Sequence, residues 1–310
     1  MTKRERVLAA VAGEPVDRTP YSLWYHFRLD PPAGQAFAAA ELAFYRRCDP
    51  DLFKVMHDIP YEMPADMPEV REPADWARLP VLDGRSGNFG QQLDAIKQIV
   101  AEKGDDGPVV DTVFGAFATA EKVSGKRTLE HLAADPEPVR QGLRAIAASL
   151  ANYARALLEA GADGIYLAVA GAASDTMPAD QYAAEFAALD QQVLDAVDTA
   201  SVNVVHHHGV GIYPEVVLPY KGMRIYCWSN RLEGNPSIRE MRLRTRLCLM
   251  AGVNEVTYGE VTPDFIVAEA RSAIAESGGR AFILAPGCAI PTPPATPDAN
   301  LDALRLAVGA

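Results

Sequence analysis

Asn203–Gly209 reads NVVHHHG, a short apolar strand that runs into three consecutive histidines. Alternate side chains of a strand share a face, so His206 and His208 point one way and His207 the other. Two imidazoles on one face make half of a metal site. The third ligand has to come from elsewhere, and the candidate is Cys288 in AFILAPGCAIP, another apolar run that stops at Gly-Cys. The competing reading is a chance cluster whose rings are satisfied by backbone partners. A His-x-His at a strand end, in a chain with 6 His and 4 Cys, favours metal.

Similar apolar runs recur on both sides of this stretch: Pro20–Trp24, Leu52–Met56, Val109–Phe114, Gly164–Val169, Arg224–Trp228, Glu255–Tyr258 and Ala281–Ala285. Most are followed by helical periodicity, as in 88–102, 136–160, 179–200, 237–250, 263–276 and 297–308. Continuous apolar strands alternating with helices predict a parallel sheet covered on the outside. Eight such units predict a (β/α)8 TIM barrel, an α/β fold, over an open doubly wound sheet. Prolines at Asp135-Pro136 and Met177-Pro178 mark helix starts, and Gly161 and Gly278-Gly279 mark helix stops. No composition break divides the chain, so 1–310 reads as a single domain. The stretch Tyr61–Gly87 is rich in proline and acid and follows the second strand, which suggests a lid-like insertion, with a solvated loop as the alternative. Trp76 within it argues for some packing.

Composition sets further bounds. The chain has 310 residues, 49% hydrophobic and 23% charged, with a formal net charge of −12. So acidic a surface excludes nucleic acid and an anionic membrane surface as expected partners, because both need clustered Lys and Arg. The first helix has a basic start, but its apolar run is broken by Gly13 and Glu14 and does not read as a signal segment. Cys48, Cys227, Cys248 and Cys288 show no CxxC spacing, which points to free thiols and a cytoplasmic location.

Barrels carry their reactive residues at the C-terminal ends of strands. On this strand count, Asp58 follows the second strand, His206 and His208 end the fifth, and Asn230 follows the sixth. Glu260 follows the seventh and Cys288 the eighth. Asp58 is the candidate catalytic base, although such a carboxylate also serves as a cap. Arg28, Tyr220 and Asn230 are the candidate substrate contacts. Their plain alternatives are an ion pair with Asp30 for Arg28 and an ordinary turn aromatic for Tyr220. Glu260 reads more readily as a helix cap, and Cys227 as a buried core thiol. Cys48 and Cys248 fall in helix-like contexts, and Gly115 would admit a ligand close to the backbone.

Several ordered segments carry a resemblance. RVLAAVAGEPVDRTPYSLW (6–24) and AFILAPGCAIPTPPATPDANLDAL (281–304) bracket FKVMHDIPYE (53–62), TVFGAFATAEKVSG (112–125), EAGADGIYLA (159–168) and NVVHHHG. Together they resemble the uroporphyrinogen decarboxylase superfamily across nearly the whole chain. The resemblance implies a (β/α)8 barrel and one of two chemistries. One branch decarboxylates porphyrinogen acetate arms without metal, gripping them with an arginine-rich segment after the first strand. Here that segment is YHFRLDPP, with Arg28 alone, and Cys288 stands where that branch has a late histidine; Asp58 resembles its aspartate. The other branch moves a methyl group between a corrinoid and a thiol, and holds zinc with a His-x-Cys and a late Cys. His206 and Cys288 match that set, and His208 replaces its middle Cys.

The resemblance therefore implies a zinc-dependent methyltransferase, with zinc on His206, His208 and Cys288 and Asp58 as base. The corrinoid would be methylcobalamin or a separate corrinoid protein, because the chain has no DxHxxG segment. One thiolate in place of two leaves the metal more positive, which opens hydrolytic or lyase use of the site. Decarboxylation of a non-porphyrin small acid is the second enzymatic expectation, and a non-catalytic binding protein the third. A small-molecule substrate is expected in either enzymatic case, and a homodimer is left open.

Overall fold

Strands that are apolar on both faces need helices outside them, and the chain builds that arrangement. The computed structural model describes residues 1–309. Its sheet contains β1 (Phe53–Val55), β2 (Val109–Phe114), β3 (Gly164–Val169), β4 (Val204–His207), β5 (Ile225–Trp228), β6 (Cys248–Val253) and β7 (Phe282–Pro286). All neighbours are parallel and in sequence order, so the sheet curls into a TIM-like half-barrel. One buried apolar cluster runs from Val7 to Leu304. Among the described residues, no helix is long and apolar enough to cross a membrane.

Two of the eight expected strands are built differently. Pro20–Trp24 forms a single parallel bridge, Tyr21 to Leu284. The Ser22 N–H donates to the Leu284 carbonyl, and Leu284 donates to the Pro20 carbonyl, both at 2.9 Å. On the other side the Tyr21 carbonyl accepts from Asp51 at 2.9 Å, and the Ser22 hydroxyl donates to the Leu52 carbonyl at 2.9 Å. This stretch thus ties β7 to β1 without a ladder, since Pro20 has no N–H to give. The other correction is β6. The strand lies at Cys248–Val253, not at 255–258, and the helix before it is only Ile238–Arg244. Cys248 is therefore a strand residue.

The register sets the inner face of the sheet. Phe114 pairs with Ala168, Ala168 with His206, and His206 with Cys227. Residues two apart share a face, so Lys54 and Met56, Thr112 and Phe114, Tyr166 and Ala168, and His206 and His208 all project toward the barrel interior.

Segment 61–87 lies beside the barrel. Its short 3-10 helix, Pro73–Arg78, packs on the long helix Pro136–Glu159. Trp76 is fully buried there, and its indole N–H donates to His131 Nδ1 at 2.9 Å. The Leu82 N–H donates to the Ser149 hydroxyl at 2.8 Å. Among the described residues, none from this segment lines the central cavity, and only Tyr61 reaches the small side cavity next to it.

Candidate metal centre

The C-terminal end of the sheet opens into a cavity of about 260 Å³. Its walls are mainly aromatic and aliphatic, with Trp24, Met56, Phe114 and Tyr166 among them. At one side His206, His208 and Cys288 converge, each offering a ligand atom within 4.8 Å of the others. Cys288 Sγ lies 3.8 Å from His208 Nδ1. His206 and Cys227 are register partners, whereas Cys288 arrives on the turn after β7. Gly287 makes that approach feasible: a Cβ there would lie 2.3 Å from the Ser229 Cα. Only glycine lets the exit of β7 pass so close to the end of β5.

His206 is 3% exposed, and neither of its ring nitrogens has a hydrogen-bond partner. Its ring stacks on Tyr166 at 5.5 Å. Burial, helped by His208 and Lys54, holds its pKa well below the ordinary histidine value. A buried, neutral imidazole with two bare nitrogens lacks the partners that buried polar groups normally have, and a metal ion would supply one. His207 is the opposite case. It projects from the other face, with Nδ1 2.7 Å from the Tyr226 hydroxyl and Nε2 2.7 Å from the Ala172 carbonyl. Burial lowers its pKa to about 4. Burial also raises the Cys288 thiol, which is partly offset by the Ala289 N–H.

Four further polar residues surround the site. His26 lines the cavity, and its Nδ1 lies 2.6 Å from Asp58 Oδ1. Burial would raise Asp58, but the His26 bond, with Lys54 and His57 nearby, holds it below its ordinary value and ionised. Lys54, inside β1, is almost fully buried against the cavity. Glu255, just past β6, is buried; one carboxylate oxygen accepts from the Ser229 hydroxyl and the other has no partner. It faces an outer mouth shared with His26, Arg28, His208 and Cys288.

The uroporphyrinogen decarboxylase (URO-D) family matches residues 35–310. The chain belongs to the URO-D family. Among solved structures, a methyltransferase from Methanosarcina mazei aligns over 100% of this chain and 98% of its own, at 23% identity and a TM-score of 0.80. A B12-independent methionine synthase from Shewanella sp. W3-18-1 aligns over 70% of this chain and 65% of its own, at 15% identity and a TM-score of 0.51. At these identities the likeness concerns the fold. No curated protein sequence matches this URO-D family member.

The residues singled out in the sequence end up in different places. His206, His208 and Cys288 come together. Asp58 reaches the cavity through His26, a residue the sequence reading passed over. Arg28 is exposed at the outer mouth, and no Arg28–Asp30 ion pair forms among the described residues. Asn230 ties β5 to β6, its side-chain oxygen accepting from the Gly252 N–H at 2.9 Å. Tyr220 sits near Tyr182 and Asp190 and lines neither the cavity nor the mouth. Glu260 is exposed, and Glu255 takes its expected place at the strand end. Gly115 is crowded by Asp190, whose carboxylate accepts from the Ala116 N–H, so that space is filled by protein. Cys227 is a buried thiol beside the Tyr166 hydroxyl, as its apolar strand implied. Lys54 carried a legible signal, a lone charge in the apolar strand LFKVM.

Proposed function

We propose that this URO-D family protein is a zinc-dependent methyltransferase that moves a methyl group between a corrinoid and a thiol acceptor. The observation that carries the reading is His206: buried, stripped of hydrogen-bond partners on both nitrogens, and converging with His208 and Cys288. Two imidazoles and one thiolate are a zinc donor set, and three protein ligands are the number that leaves a catalytic position open. Bound there, zinc would supply a Lewis acid that lowers the pKa of the acceptor thiol.

The chain's own groups do the rest. The aromatic wall keeps water away from the reacting centre. Asp58 is a positioning residue: it orients the His26 ring through the 2.6 Å hydrogen bond. His26 lines the cavity and would take the proton from the acceptor. The corrinoid is a substrate, free or carried by a partner protein, that presents its methyl group at the mouth. The expectation of methyl transfer agrees with family membership and with a fold shared with a methyltransferase.

The test uses protein purified without a chelating column. It should hold about one zinc per chain. Methylcobalamin should be consumed only when a thiol is present. Replacing His208 with Cys should retain zinc and keep or raise the transfer rate, because a second thiolate leaves the donor set less positive. Zinc-loaded protein of both kinds that shows no thiol-dependent consumption would overturn the reading.

A further inference from the structure

The stretch 237–247 reads SIREMRLRTRL and places four arginines between 239 and 246, in a chain of formal net charge −12. It covers the helix Ile238–Arg244 and the turn into β6. Arg280 stands just before β7. Arg242, Leu243, Arg244, Arg246 and Arg280 line one open groove of about 730 Å³, and no carboxylate lines it. The groove lies at the N-terminal ends of β6 and β7, at the opposite end of the sheet from His206, His208 and Cys288.

The arginines of the groove are not alike. Arg242 is half-buried and donates to the Leu247 carbonyl at 2.9 Å and the Ala281 carbonyl at 2.8 Å, which ties the two strand entries together. Arg244, Arg246 and Arg280 are exposed, and among the described residues their guanidinium groups make no hydrogen bond or ion pair. Elsewhere arginines meet carboxylates: Arg6 pairs with Asp17 and Asp51, Arg47 with Asp302, and Arg140 with Glu185. Two carboxylates on the flanking helices are engaged locally. Glu240 accepts from the Ser237 N–H and hydroxyl, both at 2.8 Å, and Glu276 accepts from the Arg239 N–H at 2.9 Å. An arginine at a helix C-terminus complements the helix dipole, and Arg242 fills that role. It does not account for three more like charges around one groove. Nor does it account for Leu243, which stands among them 84% exposed.

The surroundings select the occupant. Free guanidinium forks fit carboxylates and phosphates. A compact phosphate would lack backbone donors here. The helix Pro263–Ser277 presents its C-terminal end, and the Gly278 and Gly279 N–H groups donate to the Ala275 carbonyl and the Ser277 hydroxyl. A long polyanion or an anionic bilayer would lie against a chain that is acidic overall. A two-fold contact with a second copy through this patch would set arginine against arginine. A short acidic segment meets the arginines and covers Leu243 with an apolar side chain of its own.

We propose that this groove docks a short, carboxylate-rich segment of another protein, with an apolar side chain seated on Leu243. Bound there, the partner leaves the cavity mouth open and places the protein without entering its reaction. The inference does not depend on the methyltransferase reading.

The experiment is fluorescence anisotropy at low ionic strength. The probes are a labelled peptide of aspartate and glutamate around a central leucine, its asparagine and glutamine counterpart, and tripolyphosphate as competitor. The acidic peptide should bind and weaken as salt rises, and the amide peptide should not bind. Arg246→Ser combined with Arg280→Ser should weaken the acidic peptide at least about fivefold, the scale of an exposed ion pair. Leu243→Ser should weaken it by a smaller factor. Arg46→Ser combined with Arg144→Ser removes the same charge from arginines paired with Glu102 and Glu137, and should leave binding within about twofold. The replaced side chains are exposed, and an unchanged melting transition shows that each variant is folded. No binding of the acidic peptide to the wild type, or an equal loss in the Arg46 and Arg144 control, would overturn the proposal. Tripolyphosphate that binds more tightly than the peptide, with the same dependence on Arg246 and Arg280, would overturn it in favour of a phosphate site. Self-association of the wild type in sedimentation, lost in the Arg246 and Arg280 variant, would overturn it in favour of a second copy.

Discussion

The two faces of β4 present neighbouring histidines with opposite chemistry. His206 looks into the cavity with both nitrogens bare, whereas His207 looks outward with both nitrogens bonded to protein. Residue type, strand and depth of burial are the same. The difference lies in what the neighbouring segments supply. Outward, the Tyr226 hydroxyl and the Ala172 carbonyl complete a structural histidine. Inward, Tyr166 offers its ring, and His208 and Cys288 offer further ligand atoms. Buried polar groups are nearly always paired, and on this strand the inward histidine is the exception.

The largest effect should come from the inward face. His206→Ala should cut zinc from about one per chain to roughly a tenth or less, measured by elemental analysis. His207→Ala should leave zinc in place. If instead His207→Ala empties the protein of metal, the register of β4 is off by one and the contrast between the faces collapses.

The outward face should show itself in stability. His207→Ala leaves the Tyr226 hydroxyl and the Ala172 carbonyl unpaired and opens a small void, a loss of about 2–4 kcal/mol. That loss should depend on pH. Burial holds His207 at about 4 in the fold, against its ordinary value of 6.5. Between those values the unfolded chain binds the extra proton, so stability rises with pH across this window. The contribution is complete above 6.5 and disappears as pH falls toward 4, on the order of 3 kcal/mol in all. Urea denaturation of wild type and His207→Ala should therefore give curves that differ most near neutral pH and approach each other in acid. A gap that stays constant with pH would show that His207 is not held neutral by burial.

The smallest effect should come from outside both faces. The Tyr220 hydroxyl is buried beside Tyr182, and among the described residues it makes no hydrogen bond of ordinary geometry. Tyr220→Phe should change stability by less than about 0.5 kcal/mol and leave zinc content and acceptor affinity as they are. A fall in acceptor affinity would return Tyr220 to the list of substrate contacts and widen the site beyond the inward face.

The parts of the site legible in the sequence are those that depend on strand period. NVVHHHG announces which imidazoles share a face, and AFILAPGC announces a thiol at a strand exit. The misreadings come from segments where period is uninformative. Ser237–Met250 continues a helical pattern into CLMAGV with no Gly or Pro between them, and a short apolar run is equally consistent with a buried helix turn or a strand. That ambiguity moved β6 and put Glu260 where Glu255 belongs. Pro20–Trp24 has strand composition but only one bridging residue: β7 uses the Pro20 carbonyl and the Ser22 N–H, the chain before β1 uses the Tyr21 carbonyl, and Pro20 has no N–H to extend the ladder.

What the sequence by itself determined is the direction of side chains along each strand, the helix ends at Pro136 and Gly278, and which imidazoles share a face. These follow from backbone geometry and local steric limits, which act within a few residues. Only the tertiary structure decided that His206 is bare while His207 is satisfied, that Lys54 is buried against Met56 and two aromatic rings, that Asp58 bonds to His26, and that segment 61–87 lies against an outer helix. Each of those facts depends on partners from distant parts of the chain, brought within hydrogen-bonding range only when the sheet curls.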